Sequence, residues 1–137
     1  MTKYVNKDLK VNLKNRIPVC YSYSRKRKIG ILGGSFNPAH DGHIHISNTA
    51  LTNLGLDEIW WLVAPQNRLK SSLDMENFDK RLGYARLLTN NISYIKVLDL
   101  EQKNQLYATF KTVNFLNQRT RKVKLIWLMG SDILDNL

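Results

Sequence analysis

The chain has 137 residues, enough for one domain around one core, and a single cysteine, Cys20, so no internal disulfide can form and a reducing, cytoplasmic setting is expected. No run of about 18 apolar residues is present to span a membrane, and the start lacks the long apolar stretch of a secretory signal. The net charge of +10 sits mostly at one end: residues 1–28 hold nine Lys or Arg against one acid, Asp8, a net +8, whereas the remainder holds 12 basic and 10 acidic residues.

Residues 1–27 therefore read as a basic, flexible leader to a domain spanning 28–137. The run RKRK at 25–28 could attract nucleic acid or anionic lipid. No aromatic platform or groove pattern accompanies it, so a solvated extension is expected, with neither nucleic acid nor membrane as partner. Four apolar runs follow, KIGILGG (28–34), EIWWLVA (58–64), SYIKVLDL (93–100) and VKLIWLMG (123–130). Three are nearly continuous in apolar residues, as strands buried on both faces of a parallel sheet are; residues 93–100 alternate more, which suits an edge. Helical spacing links Ile44, Ser47, Leu51 and Leu54 over 42–54, with Gly55 as a stop. It links Phe78, Leu82, Ala85 and Leu88 over 77–89, and Leu106, Phe110 and Val113 over 105–118. The order β-α-β-α-β-α-β predicts a doubly wound α/β sheet. Trp60, Trp61 and Trp127 fall in strands and are read as core.

The chemistry concentrates after the first strand, in GGSFNPAHDGH at 33–43. Ligands of an open α/β sheet bind beyond the carboxyl ends of its strands. Gly33 and Gly34 let a ligand approach the main chain, and Asn37-Pro38 sets a turn before the helix. A helix N-terminus offers amide donors and partial positive charge to phosphate. His40 and His43, three residues apart, project from one side of that terminus, and Gly42 keeps the face between them clear. The loop has neither the dinucleotide Gly-x-Gly-x-x-Gly pattern nor a Walker ending. Zinc on His40, His43 and His45 lacks a fourth ligand, so no metal site is assigned, and His45 is read as an ordinary helix residue.

These residues resemble the nucleotidyltransferases that carry a His-x-x-His or His-x-Gly-His loop. Within that group they are similar to bacterial nicotinate-nucleotide adenylyltransferases, whose form is Gly-Gly-Ser/Thr-Phe-Asp/Asn-Pro-x-His-x-Gly-His. WWLVAPQNRLK (60–70) resembles the family's second strand and its loop ending in lysine, here Lys70; FDKRLGYARLL (78–88) resembles its Arg-bearing helix, here Arg81. VKLIWLMGSDILDNL (123–137) resembles its fourth strand and Gly-x-Asp, here Gly130 and Asp132. The resemblance implies a Rossmann-like doubly wound sheet. It also implies a C-terminally incomplete one, because the family pattern continues beyond Gly-x-Asp through a fifth strand to an Ile-Ser-Ser-Thr-x-Ile-Arg-like segment.

The implied reaction is adenylyl transfer from ATP to nicotinate mononucleotide with magnesium, giving nicotinate adenine dinucleotide and pyrophosphate, a step of NAD synthesis. His40 and His43 would serve the ATP phosphates. Gly33, Gly34, Ser35 and Phe36 would line the nucleotides, with Lys70 and Arg81 as further phosphate ligands. Thr109, in YATFKT (107–112), would face the acceptor, and Asp132 an adenosine hydroxyl. Lys111 stands where the family has an acid. That keeps other acceptors open: nicotinamide mononucleotide, phosphopantetheine or a cytidylyl system, as well as a nucleotide-binding remnant without turnover. A homo-oligomer stands beside a monomer as an alternative.

Overall fold

The computed structural model describes residues 26–65, 74–107, 109–120 and 122–129. Four parallel strands, β1 (Arg27–Gly34), β2 (Glu58–Val63), β3 (Ile95–Leu98) and β4 (Val123–Leu128), lie in the order β3-β2-β1-β4. Helices α1 (Asp41–Leu54) and α2 (Phe78–Leu88) follow β1 and β2, the short α3 (Leu100–Lys103) follows β3, and α4 (Thr109–Arg119) leads into β4. The strand order reverses at β1, which has β2 on one side and β4 on the other. In such folds this switch point opens the crevice beyond the strand ends.

Two apolar layers fix the helices to the sheet. On one face Leu32, Ile59, Trp61 and Val63 pack with Ala50 of α1 and with Phe78, Leu82 and Ala85 of α2. On the other, Ile29, Ile31 and Leu62 pack with Leu116 of α4. Trp61, Ile31, Ile59, Leu62 and Val63 are fully shielded from solvent. Each such side chain contributes about 1.5–3 kcal/mol through loss of apolar surface from water. At Gly30 a Cβ would fall 2.8 Å from Leu56 Cδ1 and 2.9 Å from Ile59 Cδ1, so glycine is what lets those side chains reach the sheet.

The departures from the sequence pattern have local causes. The third apolar run is a strand only over 95–98, at the sheet edge as alternation predicts, because the chain turns into α3 at Leu100. Helix α4 consequently starts at 109 rather than 105, and Thr112 and Leu116 are its buried positions among the described side chains, while Phe110 is 65 % exposed. Strand β4, expected to be buried on both faces, is only half-buried, with β1 as its one partner among the described residues. Gly55 ends α1 as expected, at φ 61° and ψ 44°. Residues 1–25 of the leader, with Lys70, Gly130 and Asp132, lie outside the described residues.

Candidate functional site

The segment from Ser35 to His40 carries the chain from the end of β1 over the sheet to the head of α1. Phe36 turns it, in the left-handed region at φ 50°, and the Asn37-Pro38 peptide is cis. An aromatic side chain held at positive φ needs firm tertiary support. Phe36 is 1 % exposed, stacked on Trp61 (centroids 4.9 Å apart, 19° between planes), with the His43 ring on it at 4.7 Å. Asn37 pins the same segment to the chain ahead of α2: its Nδ2 donates to the Asp74 carbonyl (2.8 Å) and its Oδ1 accepts from the Glu76 amide (3.1 Å).

His40 caps α1 from an extended backbone, φ −150° and ψ 175°. Its Nδ1 accepts from the Gly42 amide at 3.0 Å, and the His43 Nδ1 reaches back to accept from the His40 amide at 3.0 Å. This is a reciprocal capping box built from two imidazoles instead of a hydroxyl and a carboxylate. A Cβ on Gly42 would lie 2.7 Å from His40 Cε1, so the glycine makes room for the cap. The rings stand 4.0 Å apart. Because each Nδ1 is an acceptor, each neutral ring carries its proton on Nε2, the nitrogen on the far side of the ring from the cap. Burial, and next the charge of His40, holds the His43 imidazole below its ordinary value of 6.5. The neutral, Nε2-protonated form of His43 is therefore the one favoured at neutral pH.

This geometry revises how the helix terminus is used. The amides of His40, Gly42 and His43 all have protein acceptors, the last donating to the His40 carbonyl at 2.9 Å. Donors for an anion here are thus the two Nε2–H groups more than the main-chain amides. The main chain stays approachable at Gly33, where an added Cβ would meet nothing within 4 Å, whereas at Gly34 it would touch the Phe36 ring at 3.6 Å. Phe36 itself, being buried, can offer a nucleotide only its main-chain atoms.

Arg81 sits in the first turns of α2 and is 2 % exposed. Its Nη1 donates to the carbonyls of Ser35 (2.7 Å) and Ala64 (2.9 Å), and its Nε to the Glu76 carbonyl (2.9 Å). The side chain thus ties together the chain leaving β1, the chain leaving β2 and the approach to α2; burial lowers its pKa. Its described contacts are those of a clamp behind the site. Thr109 opens α4. Sequence reasoning passed over Ser47 and the polar edge of Trp61. Ser47, fully buried, donates to the His43 carbonyl (2.8 Å) and accepts from Trp61 Nε1 (2.8 Å), which fastens the head of α1 to β2. A hydroxyl at an otherwise apolar helical position was the available signal.

Known proteins resemble this chain in sequence and in fold. Residues 31–137 match the family model described as cytidylyltransferase-like. The chain is 46 % identical over 110 residues to a probable nicotinate-nucleotide adenylyltransferase of Parvibaculum lavamentivorans, covering 80 % of this chain and 54 % of that protein. It is 40 % identical over 108 residues to one of Rhizobium meliloti, covering 79 % and 57 %. The chain spans little more than half the length of these curated relatives. The fold matches that of Plasmodium falciparum nicotinic acid mononucleotide adenylyltransferase complexed with NaAD, with a TM-score of 0.69 at 23 % identity over 80 % of this chain and 55 % of that one. The family match, its His-x-Gly-His loop and its parallel sheet agree, and the chain belongs to the cytidylyltransferase-like family.

Proposed function

We propose that the protein takes part in adenylyl transfer from ATP to nicotinate mononucleotide, giving nicotinate adenine dinucleotide and pyrophosphate. The observation that carries this reading is the pair of Nε2–H donors set at the switch point by the reciprocal cap. The names of the relatives give it the acceptor. In the reaction a phosphate oxygen of the mononucleotide attacks the α-phosphorus of ATP as the bond to pyrophosphate breaks. The nucleophile is already an anion, so no protein nucleophile or base is needed. What remains is to align two anions and stabilise charge gathering on the transferring and leaving oxygens.

His43, held under the Phe36–Trp61 stack and donating from a neutral ring, serves the oxygens nearest the reacting phosphorus, and His40 the outer ones. Gly33 and Gly34 admit the nucleotide against the main chain. Lys70, Thr109, Gly130 and Asp132 belong to the same proposal as ligands of phosphate, acceptor and adenosine. Arg81 enters it through the three carbonyls it holds. Magnesium, bound with ATP, would supply charge neutralisation of the triphosphate. A magnesium ion carried in on ATP would be held chiefly by phosphate oxygens and water, and the nearest carboxylate in sequence to the two histidines is Asp41, in the first turn of α1. The reading entails a cytoplasmic protein, and none of the described helices is long and apolar enough to cross a membrane.

The test is incubation of the full chain with ATP, magnesium and nicotinate mononucleotide, followed by chromatography of the dinucleotide and assay of pyrophosphate. Both products are expected in equal amounts. Folded protein that yields neither rejects the activity. ATP-induced shifts of the His40 and His43 Nε2 resonances report the phosphate site separately from turnover.

A further inference from the structure

Two runs of positive charge that lie far apart in the sequence meet at the amino end of the sheet, the end opposite the imidazoles. β1 and β4 are parallel neighbours, with Arg27 beside Val123 and Lys28 beside Lys124. Lys26, Arg27 and Lys28, leading into β1, are therefore brought beside Arg119, Lys122 and Lys124, at the end of α4 and the start of β4. A groove of about 410 Å³ opens there beneath the last turn of α4, lined by Arg27, Trp60, Gln118, Arg119, Thr120 and Lys122 among others.

The groove is organised as well as charged. Glu58 accepts from Trp60 Nε1 (2.6 Å) and from Arg27 Nη2 (2.9 Å), fixing the indole while the Arg27 side chain stays 58 % exposed. Arg119 lies over the Phe115 ring, 3.8 Å from its centroid, and donates to the Phe115 carbonyl at 3.3 Å. The Thr120 hydroxyl and amide both donate to the Leu116 carbonyl, at 2.6 and 2.9 Å. The helix end, whose partial negative charge would otherwise repel an anion, is thus capped by its own side chains.

We propose that this groove binds single-stranded nucleic acid. Several cations around an indole in a groove are the pattern that tracks a phosphate backbone while a base stacks. The sequence argued against such a partner because the charge had neither a groove nor an aromatic platform, and the fold supplies both. A lipid surface fits less well: it asks for apolar anchors at the rim, and among the described residues the large exposed apolar side chains, Leu87 and Phe110 foremost, do not line this groove. This inference is independent of the adenylyl-transfer reading, which uses the opposite end of the sheet.

Fluorescence anisotropy of the full chain with a labelled 15-nucleotide oligouridylate, between about 50 and 300 mM KCl, tests it. Log affinity should fall linearly with log salt, by about 0.7 per phosphate contacted. Arg119→Gln with Lys122→Glu should weaken binding about tenfold or more and make the slope shallower by one to two contacts. Trp60→Leu should weaken binding several-fold at every salt concentration with the slope unchanged, since stacking releases no counterions. Circular dichroism checks that each variant is folded. Were the tryptophan variant to unfold, the surface pair Arg119→Gln and Lys122→Glu would still decide the matter. The proposal is overturned if that pair binds like the parent and only Lys3, Lys7, Lys10 and Lys14→Gln lose affinity. Equal affinity and slope for duplex, or binding to phosphatidylglycerol vesicles but not to the oligonucleotide, overturns it as well.

Discussion

The two ends of the sheet both suit anions, by different physics. At the carboxyl end the donors are two ring N–H groups, aimed by a reciprocal cap and braced by Phe36, Trp61, Ser47 and Arg81. At the amino end they are side-chain cations on longer stems, gathered by strand pairing. A donor fixed by its surroundings acts through placement and loses its effect when moved by a fraction of an ångström. A solvated cation acts through charge, tolerates displacement and is weakened by salt. Substitutions should therefore separate the ends by size of effect and by salt dependence.

The largest effect is expected at His43. His43→Ala should lower turnover by about 10²–10³-fold, the loss seen when one donor to developing charge is removed, with little change in the KM for the acceptor. Steady-state kinetics would check it, and a loss confined to KM would assign His43 to ground-state binding. Arg81 comes next. Arg81→Met, which keeps the stem and removes the donors, should cost about 3 kcal/mol in urea unfolding by leaving three carbonyls without their bonds. Arg81→Lys should not restore it, because one ammonium cannot reproduce the planar fork that meets Ser35, Ala64 and Glu76. Full rescue by lysine would show that charge and not geometry holds the loops.

Much of this was legible in the residues, for reasons that can be named. β1 and β2 are continuous in apolar residues because both their faces are covered, and Gly55 stops α1 because only a residue at ease in the left-handed region fits there. The histidine pair declared itself through its spacing and its glycine. What stayed hidden depends on partners distant in the chain. Arg81 reads as the polar side of a helix until Ser35, 46 residues away, comes within 2.7 Å. Arg119, Lys122 and Lys124 read as part of a nearly charge-balanced domain until the fold sets them beside Lys26, Arg27 and Lys28. The late start of α4 was hidden by α3, a single turn whose four residues carry no periodicity to read.

Ser47 and Trp61 test whether the carboxyl end depends on its bracing. Ser47→Ala leaves the buried Trp61 Nε1–H without its acceptor and should destabilise by about 1–3 kcal/mol. In a Trp61→Phe background the same change should cost less than half as much, since no donor is then stranded. A double-mutant cycle by chemical denaturation gives the coupling directly. Additive losses would mean that the two side chains stabilise the fold separately and that the head of α1 owes nothing to their bond.

The smallest expected effect is in the pH dependence of stability, where the carboxyl end carries two groups with opposite signs. Burial raises the carboxyl of Glu101, in α3 just beyond β3, from 4.5 to about 7. Between those values the folded chain binds more protons there than the unfolded one, so this contribution is complete below about pH 4.5 and is lost as pH rises through about 7. His43 is shifted the other way, below 6.5. The unfolded chain then binds more protons, and stability falls as pH drops from 6.5 toward the lowered folded value. The two slopes oppose each other below pH 6.5, and above it only Glu101 still changes. Glu101→Gln should accordingly remove the loss of stability between pH 6.5 and 8 and uncover a steeper decline on the acid side. Urea midpoints measured from pH 5 to 8 on parent and variant decide it, and parallel curves would mean that the Glu101 carboxylate is as well solvated in the fold as in the open chain.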